Sequence, residues 1–191
     1  MAKLRLFIGC EIPDDLHEAL VDFRHRHEKR LEKIPGIRWT EPNTWHLTLL
    51  FLGNVDESQL RWLKGVISDF SKAFSPIFLN PDYVGYAPPS HRVRMIWYYF
   101  KEHPEWTALS LSLYHSLTRR LSIDKPYSPV IPHVTLARFK WMDIRKLPTI
   151  DAVKFRNQVK VSEIILWASR LYPSGPKYTP LFKTSLGSNL P

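Results

Sequence analysis

The feature that most constrains this chain is a four-residue pattern, H-x-T-L, that occurs twice. The first copy lies in WHLTLLFLG, at His46 and Thr48, and the second lies in IPHVTLARF, at His133 and Thr135. For this composition roughly 0.05 matches are expected by chance. Residues two apart in a strand point to the same face, so each copy presents an imidazole beside a hydroxyl. The repeat predicts two similar strands that face each other across one anion.

The composition predicts a globular chain without a membrane segment. Its 191 residues are 44% hydrophobic, which allows a sizeable core, and we expect one domain over residues 1–191 built from two interleaved lobes. The apolar run near the start is too short for a signal peptide, and no run approaches membrane-spanning length. The only cysteine is Cys10, which excludes an intrachain disulfide and a cysteine-built zinc site. We therefore expect a cytoplasmic monomer with no membrane partner.

The charge of the chain is compatible with two interpretations. A net charge of +9 suits an anionic partner such as RNA or a phosphorylated metabolite. Simple solubility explains the same surplus equally well, because the basic residues are scattered. The one dense run, Arg24 to Arg30, lies on a predicted helix and is typical of a solvated face.

Hydrophobic periodicity predicts an α+β fold with mainly antiparallel sheet. Strand patterns and helix patterns alternate around each H-x-T-L copy, which indicates an old duplication with a pseudo-twofold arrangement of two lobes about a central groove. We expect the first motif strand to close at Gly53-Asn54. The predicted strands cover residues 3–12, 45–53, parts of 76–100, 131–139, 159–171 and 177–186, and the predicted helices cover about 14–33, 56–70 and 104–121.

Two facing His/Thr pairs suit the chemistry of phosphoryl transfer. The attacking and leaving oxygens lie in line on opposite sides of phosphorus, where one histidine can accept a proton while the other donates one. The threonine hydroxyls can donate to the equatorial oxygens as charge develops. Symmetry in the sequence does not decide which histidine is the acid, and a covalent phosphohistidine also stays possible.

Other site chemistries have little support in the sequence. Neither pair has a third histidine or an acidic neighbour at chelating spacing, so no metal or other cofactor is expected. A nucleophile elbow, a P-loop and a dinucleotide-binding glycine pattern are absent from the sequence. The purely structural alternative is that both histidines are hydrogen-bonded, partly buried residues, but their duplication with threonine argues against it.

The sequence resembles the two-histidine phosphoesterase superfamily. The segments RLFIGCEIP, WHLTLLFLG, RVRMIW, PHVTLAR and IILWASRLYPSGPKYTPL resemble, in order, those of the RNA 2′,3′-cyclic phosphodiesterases, historically called 2′-5′ RNA ligases. The resemblance implies metal-independent hydrolysis of RNA 2′,3′-cyclic phosphate ends, or of a cyclic nucleotide, to 2′-phosphates, with reversible 2′-5′ joining as a minor activity. It also implies that His46 is the proton donor, that His133 is the proton acceptor, and that Arg138 contacts the substrate.

Two further positions are equivalent in the duplicated frame. Phe51 and Arg138 each lie five residues after the motif histidine, and our hypothesis is that they flank the terminal nucleobase. Strict alternation would direct both away from the histidines, so a bulge or strand end is required. Plain packing is the alternative for Phe51.

The sequence leaves the roles of several aromatic residues undecided and allows two competing functions. Trp97 is interpreted as a packing residue, Trp39 and Trp45 as residues that could line the groove, and Tyr178 as a match to a family tyrosine near the C-terminus. A nucleotide-binding module on the same fold that does not hydrolyse its ligand, and a basic RNA-binding protein with structural histidines, are the competing functions.

Overall fold

The computed structural model describes residues 2–153, 155–173 and 175–187. Within them lie three α-helices, several short 3-10 turns and ten strands. The helices are α1 (Asp14–Leu31), α2 (Leu60–Ser71) and α3 (Pro104–Leu117). The strands are β1 (Lys3–Cys10), β2 (Arg38–Trp39), β3 (Leu47–Asp56), β4 (Ile77–Leu79), β5 (Pro81–Ala87), β6 (Arg92–Phe100), β7 (His133–Asp143), β8 (Val159–Val161), β9 (Glu163–Tyr172) and β10 (Gly175–Ser185).

The strands form two four-stranded sheets and one two-stranded sheet. The first sheet has the order β10-β9-β1-β3, the second has the order β2-β7-β6-β5, and β4 pairs with β8. Every strand pair in the described part of the chain is antiparallel, which confirms the predicted class. One H-x-T motif belongs to the edge strand β3 of the first sheet, and the other belongs to β7 of the second. These two strands approach each other.

The helices bury the apolar stripes that the sequence predicts. Leu16, Leu20 and Phe23 of α1 are buried at helical spacing, and the carboxylate of Asp15 accepts a hydrogen bond from the backbone N–H of Leu16 at the start of this helix. Side chains from all three helices and both large sheets join one continuous cluster of buried apolar residues. The two large sheets therefore share a core. None of the helices in the described ranges is long and apolar enough to cross a membrane.

The structure corrects several predicted boundaries. The first motif strand does not close at Gly53-Asn54. Gly53 adopts a positive φ of 68°, but both residues still pair with β1 and the strand continues to Asp56. The helix predicted to reach about residue 121 ends at Leu117, where the sequence becomes polar. The predicted strand over residues 159–171 divides at Ser162, so that β8 pairs with β4 while β9 pairs with β1 and β10. The two-residue strand β2 was not predicted.

Candidate active site

The two motif histidines have the same local geometry. Nδ1 of His46 lies 2.7 Å from the carbonyl oxygen of Thr44, and Nδ1 of His133 lies 2.8 Å from the carbonyl oxygen of Ile131. A carbonyl oxygen only accepts, so in both rings Nδ1 carries a hydrogen and donates it. Each backbone carbonyl thereby fixes the tautomer, and Nε2 is left as the atom that can accept or release a proton.

The two imidazoles also share one electrostatic environment. Burial lowers the pKa of His46, the hydrogen bond to Thr44 opposes this shift, and the charge of Arg138 adds to it. Burial lowers the pKa of His133 to about 4, and the charges of His46 and Arg138 both contribute to that lowering. The structure therefore brings His46, His133 and Arg138 into a single cluster, in which His133 is neutral at pH 7.

A bulge follows the first motif. In the pairing of β1 with β3, Ile8 lies opposite Leu50 and Gly9 lies opposite Thr48, so that Leu49 is an extra residue. Leu49 and Leu50 are consecutive and are both buried. The alternation therefore restarts after the bulge, and Phe51 returns to the face that carries Thr48. Its ring is 59% exposed.

The second motif has a matching bulge. In the pairing of β6 with β7, Ile96 lies opposite Ala137 and Trp97 lies opposite Thr135, which makes Leu136 the extra residue. Leu136 and Ala137 are both buried, so Arg138 returns to the face of Thr135. The irregularity that the sequence requires for Phe51 and Arg138 is thus present at equivalent positions in both strands.

Hydroxyl groups from other parts of the chain bind the carbonyl groups of both bulges. The buried Oγ of Ser110, on α3, donates to the carbonyl oxygen of Leu49 at 2.6 Å. Oγ1 of Thr40, just after β2, lies 2.7 Å and 2.9 Å from the carbonyl oxygens of Thr135 and Leu136, so its single hydrogen is shared between them. The carbonyl oxygen of Leu136 also accepts a hydrogen bond from the backbone N–H of Thr40 at 2.9 Å. Both bulges are thus held by hydrogen bonds from residues outside their own strands.

The Ser110→Ala variant is expected to lower kcat about tenfold, because the buried carbonyl of Leu49 loses a donor at a cost of about 1–3 kcal/mol and the bulge relaxes in response. Relaxation of the bulge moves Thr48 relative to His46. The matched control is Ser71→Ala, which removes an equally buried hydroxyl that donates to the carbonyl of Ser68 on α2. Both variants should unfold at lower temperature than the wild type, but only Ser110→Ala should lose kcat. Equal kcat values for the two variants would show that the bulge needs no support.

Aromatic rings hold the two histidines. Phe7 of β1 is buried and lies 4.7 Å from the ring of His46, and Tyr178 of β10 meets the same imidazole edge-on at 5.1 Å. On the other side Trp97 of β6 stacks on His133 with a ring-centre separation of 3.5 Å and an angle of 13°. Trp97, interpreted from the sequence as a packing residue, packs directly on a motif histidine. Phe7 and Trp97 lie in continuous apolar runs, in which the sequence gives no sign of which residues face a site.

The remaining tryptophans near the first motif do not face the histidines. Trp45 is buried and donates from Nε1 to Oγ1 of Thr40 at 2.8 Å, so it supports the second bulge from behind. Trp39 packs against α1, where it contacts the ring of Phe23 and the guanidinium of Arg24. The expectation that these two residues line the groove is therefore not supported.

The polar groups left in the cluster are suited to an anion. Thr48 and Thr135 are both partly accessible. The bulge carbonyls are bound by other hydroxyl groups, those of Thr40 and Ser110, and not by the hydroxyls of the motif threonines. Arg138 contributes a guanidinium, whose Nη1 donates to Sδ of Met95 at 3.2 Å. In residues 2–153, 155–173 and 175–187, no group of three or more His, Cys, Asp and Glu side chains is placed to hold a metal ion.

An antiparallel fold with one H-x-T motif in each of its two large sheets is that of the two-histidine phosphoesterase class. The family model for LigT-like phosphoesterases matches residues 11–97. The chain is 30% identical to a protein of Archaeoglobus fulgidus named RNA 2′,3′-cyclic phosphodiesterase, over 93% of this chain and 98% of that protein. A protein of Methanocaldococcus jannaschii with the same name is 27% identical, over 92% of this chain and 96% of its own length.

A solved structure agrees with these sequence matches. The crystal structure of a protein from Thermus thermophilus superposes with a TM-score of 0.78 at 28% identity, and the match covers 97% of this chain and 100% of that one. The chain belongs to the LigT-like phosphoesterase family, as its resemblance to the two-histidine superfamily predicted.

Proposed function

We propose that this phosphoesterase hydrolyses RNA 2′,3′-cyclic phosphate ends to 2′-phosphate ends, with His46 as the proton donor and His133 as the proton acceptor and without a metal ion. The observation that carries the proposal is the equivalent setting of the two imidazoles. In each, a backbone carbonyl fixes the hydrogen on Nδ1 and leaves Nε2 for proton transfer. The names of the relatives in Archaeoglobus fulgidus and Methanocaldococcus jannaschii support the choice of substrate.

In the proposed reaction, Nε2 of neutral His133 takes a proton from a water molecule while the water oxygen forms a bond to phosphorus. The bond between phosphorus and O3′ breaks on the opposite side, and protonated His46 gives the proton on Nε2 to O3′. The product keeps its phosphate on O2′. Thr48 and Thr135 donate hydrogen bonds to the oxygens that become more negative, and Arg138 offsets their charge. Each proton and electron pair is accounted for by groups of the protein, the substrate and water.

The assignment of acid and base depends on the family resemblance and is consistent with the electrostatics. A general base must be neutral, and the pKa of His133 is lowered to about 4. The acid must carry a proton, although burial lowers the pKa of His46 in the free protein. An anionic phosphodiester between the rings raises both pKa values, so substrate binding and protonation of His46 are coupled.

The same two proton transfers can also join two RNA ends through a 2′-5′ phosphodiester. If a ribose 5′-hydroxyl occupies the position of the water, His133 removes its proton and His46 protonates O3′, and the product is a 2′-5′ phosphodiester. Water is present at far higher concentration than any 5′-hydroxyl end, so hydrolysis is the expected main reaction. Joining requires that a second RNA end be held in the cleft.

Phe51 and Arg138 are the proposed contacts of the terminal nucleobase. Their bulges bring both residues to the faces that carry the threonines. Phe51 is largely exposed, and its ring centre lies 6.1 Å from that of Phe7. An aromatic ring and a guanidinium plane stack on any base, so this pair favours a nucleotide without selecting one base.

Incubation with an oligonucleotide that ends in a 2′,3′-cyclic phosphate, in the presence of EDTA, tests the proposal. We expect complete conversion to the 2′-phosphate, which 31P NMR distinguishes from the 3′-phosphate. Tight binding without turnover would instead favour a nucleotide-binding module. Loss of turnover on chelation would contradict the metal-free mechanism.

The pH dependence of kcat/KM is expected to be bell-shaped with its maximum below pH 6.5. The active free protein carries one charged and one neutral imidazole, and burial lowers the pKa of both. A lowered pKa means that the charged form of the acid is lost at a lower pH, so kcat/KM falls as the pH rises toward neutrality. The profile of kcat should lie at higher pH, because the bound anion raises both pKa values. Initial rates between pH 4 and 9 measure both profiles, and a kcat/KM maximum above pH 7 would contradict the shifts.

A further inference from the structure

The polar face of the first sheet continues beyond the histidine cluster. Arg5 lies two residues before Phe7 on β1, so both side chains point to the same face, about 6.6 Å apart along the strand. In the sheet register Arg5 lies opposite Ser169, and Ser169 lies opposite Tyr178, whose ring contacts His46. Arg5 therefore lies beyond the aromatic rings that contact His46, on the same face of the first sheet, and its side chain is exposed.

The second sheet presents a positively charged aromatic platform nearby. The guanidinium carbon of Arg94, on β6, lies 4.8 Å from the ring centre of Trp141, on β7. Trp141 is 48% exposed, although it is a large apolar residue. The neighbour of Arg94 in the chain is Met95, which pairs with Arg138 across the strands and accepts a hydrogen bond from it. The register of β6 and β7 shifts between Val93 and Met95, so strict alternation does not direct Arg94 away from Arg138, and the charge of Arg94 acts on Arg138. The platform therefore lies near the guanidinium that belongs to the histidine cluster.

The three arginines carry positive charge that no acidic side chain balances. None of Arg5, Arg94 and Arg138 forms a salt bridge within the described ranges of the chain. Burial lowers the pKa of Arg138, and the charges of Arg94 and Arg5 lower it further, so both of these guanidinium groups repel that of Arg138. Such a cluster costs free energy in the free protein, and an anion bound among the three groups removes that cost.

We propose that Arg5, Arg94 and Trp141 form a binding site for the nucleotide that precedes the terminal one, in which the arginines bind the phosphate that links the two nucleotides and Trp141 stacks on the second base. We call these three residues the second-nucleotide site. The inference rests on the proposed function, since it assigns the terminal nucleotide to the histidine cluster. Unpaired arginines beside an exposed indole are typical of single-stranded nucleic-acid binding, in which backbone charge and stacking act together. A lone cyclic mononucleotide occupies the histidine cluster only.

A comparison of two substrates tests the second-nucleotide site. Adenosine 2′,3′-cyclic phosphate has only the terminal nucleotide, whereas the dinucleotide ApA with a 2′,3′-cyclic phosphate end has both. We expect the wild type to hydrolyse the dinucleotide with at least about tenfold higher kcat/KM, and this preference should shrink as salt increases. The variants Arg5→Gln, Arg94→Gln and Trp141→Ala should each lower kcat/KM for the dinucleotide about fivefold or more, and change it less than twofold for the mononucleotide.

Two control variants separate this effect from general ones. Arg26→Gln removes an exposed charge of the same sign on α1 and should change neither kcat/KM. Phe51→Ala removes a proposed contact of the terminal base and should lower kcat/KM for both substrates by a similar factor. A wild type without preference for the dinucleotide, or variants at the second-nucleotide site that lose both substrates equally, would overturn the inference.

Failure of the proposed function is distinguishable from failure of the second-nucleotide site. If the wild type hydrolyses neither substrate, the proposed function is wrong, and calorimetric titration with the same two compounds then decides the inference by itself. Tighter binding of the dinucleotide that is lost in Arg5→Gln and Trp141→Ala supports the site. Equal affinities for the two compounds overturn it.

Discussion

The variants His46→Asn and His133→Asn are each expected to lower kcat about 10²–10⁴-fold, because each removes one of the two proton transfers. Asparagine is the informative replacement. Its amide N–H can reproduce the hydrogen bond from Nδ1 to the carbonyl of Thr44 or Ile131, so the local backbone is retained while the atom that corresponds to Nε2 is lost. Single-turnover rates on a cyclic-phosphate dinucleotide measure the effect, and thermal unfolding shows that the variants are folded.

The pH profiles of the two asparagine variants should differ from each other. His133 must be neutral, so His133→Asn should lose the limb on which activity rises with pH. His46 must be charged, so His46→Asn should lose the limb on which activity falls with pH. The opposite pattern would show that the roles of the two histidines are exchanged. If both variants keep both limbs of the profile, neither histidine takes part in the proton transfers.

The pH dependence of folding stability provides an independent test of the lowered pKa of His133. Its pKa is lowered to about 4 in the folded protein, so the unfolded chain binds more protons between that pH and its ordinary value of about 6.5. The wild type should therefore lose up to about 3 kcal/mol of folding free energy as the pH falls through this range. His133→Asn should lose less, and urea unfolding at pH 4.5 and 7 measures the difference.

Replacement of Thr48 or Thr135 by valine is expected to lower kcat about 10²-fold, with a smaller change in KM. Valine keeps the shape and β-branching of threonine but lacks the hydroxyl that donates to a phosphate oxygen as charge builds in the transition state. The serine variants Thr48→Ser and Thr135→Ser retain the hydroxyl and should keep most of the activity. If valine and serine variants have equal kcat values, the threonines only pack against the histidines.

The threonine predictions depend on the bulges as well as on the motifs. Because Leu49 and Leu136 are extra residues in their strands, each threonine is followed by a local bend that brings Phe51 or Arg138 to the same face. Loss of the Ser110 hydroxyl should therefore affect the first motif more than the second, where Thr40 donates to the bulge. A Ser110→Ala background that weakens the effect of Thr48→Val more than that of Thr135→Val would show this coupling.

Local patterns in the sequence determined the class of the fold and the identity of the paired motifs. Alternation and helical spacing depend only on which face of an element is buried, so they predicted the antiparallel sheets, the buried stripe of α1 and the shared face of each histidine with its threonine. The equivalence of Phe51 and Arg138 also followed from the duplicated frame. Within each copy of the motif and within each element, these features are decided by residues a few positions apart.

Only the tertiary structure decided which distant groups complete the site. The positions of the bulges depend on the register with β1 and β6, and the hydroxyls that support them come from Ser110 and Thr40, far away in the sequence. The neighbours of the histidines, Phe7 and Trp97, lie in apolar runs that carry no periodic signal. The physical reason is that periodicity reports burial, whereas strand register and contacts between the two large sheets are set by packing over the whole chain.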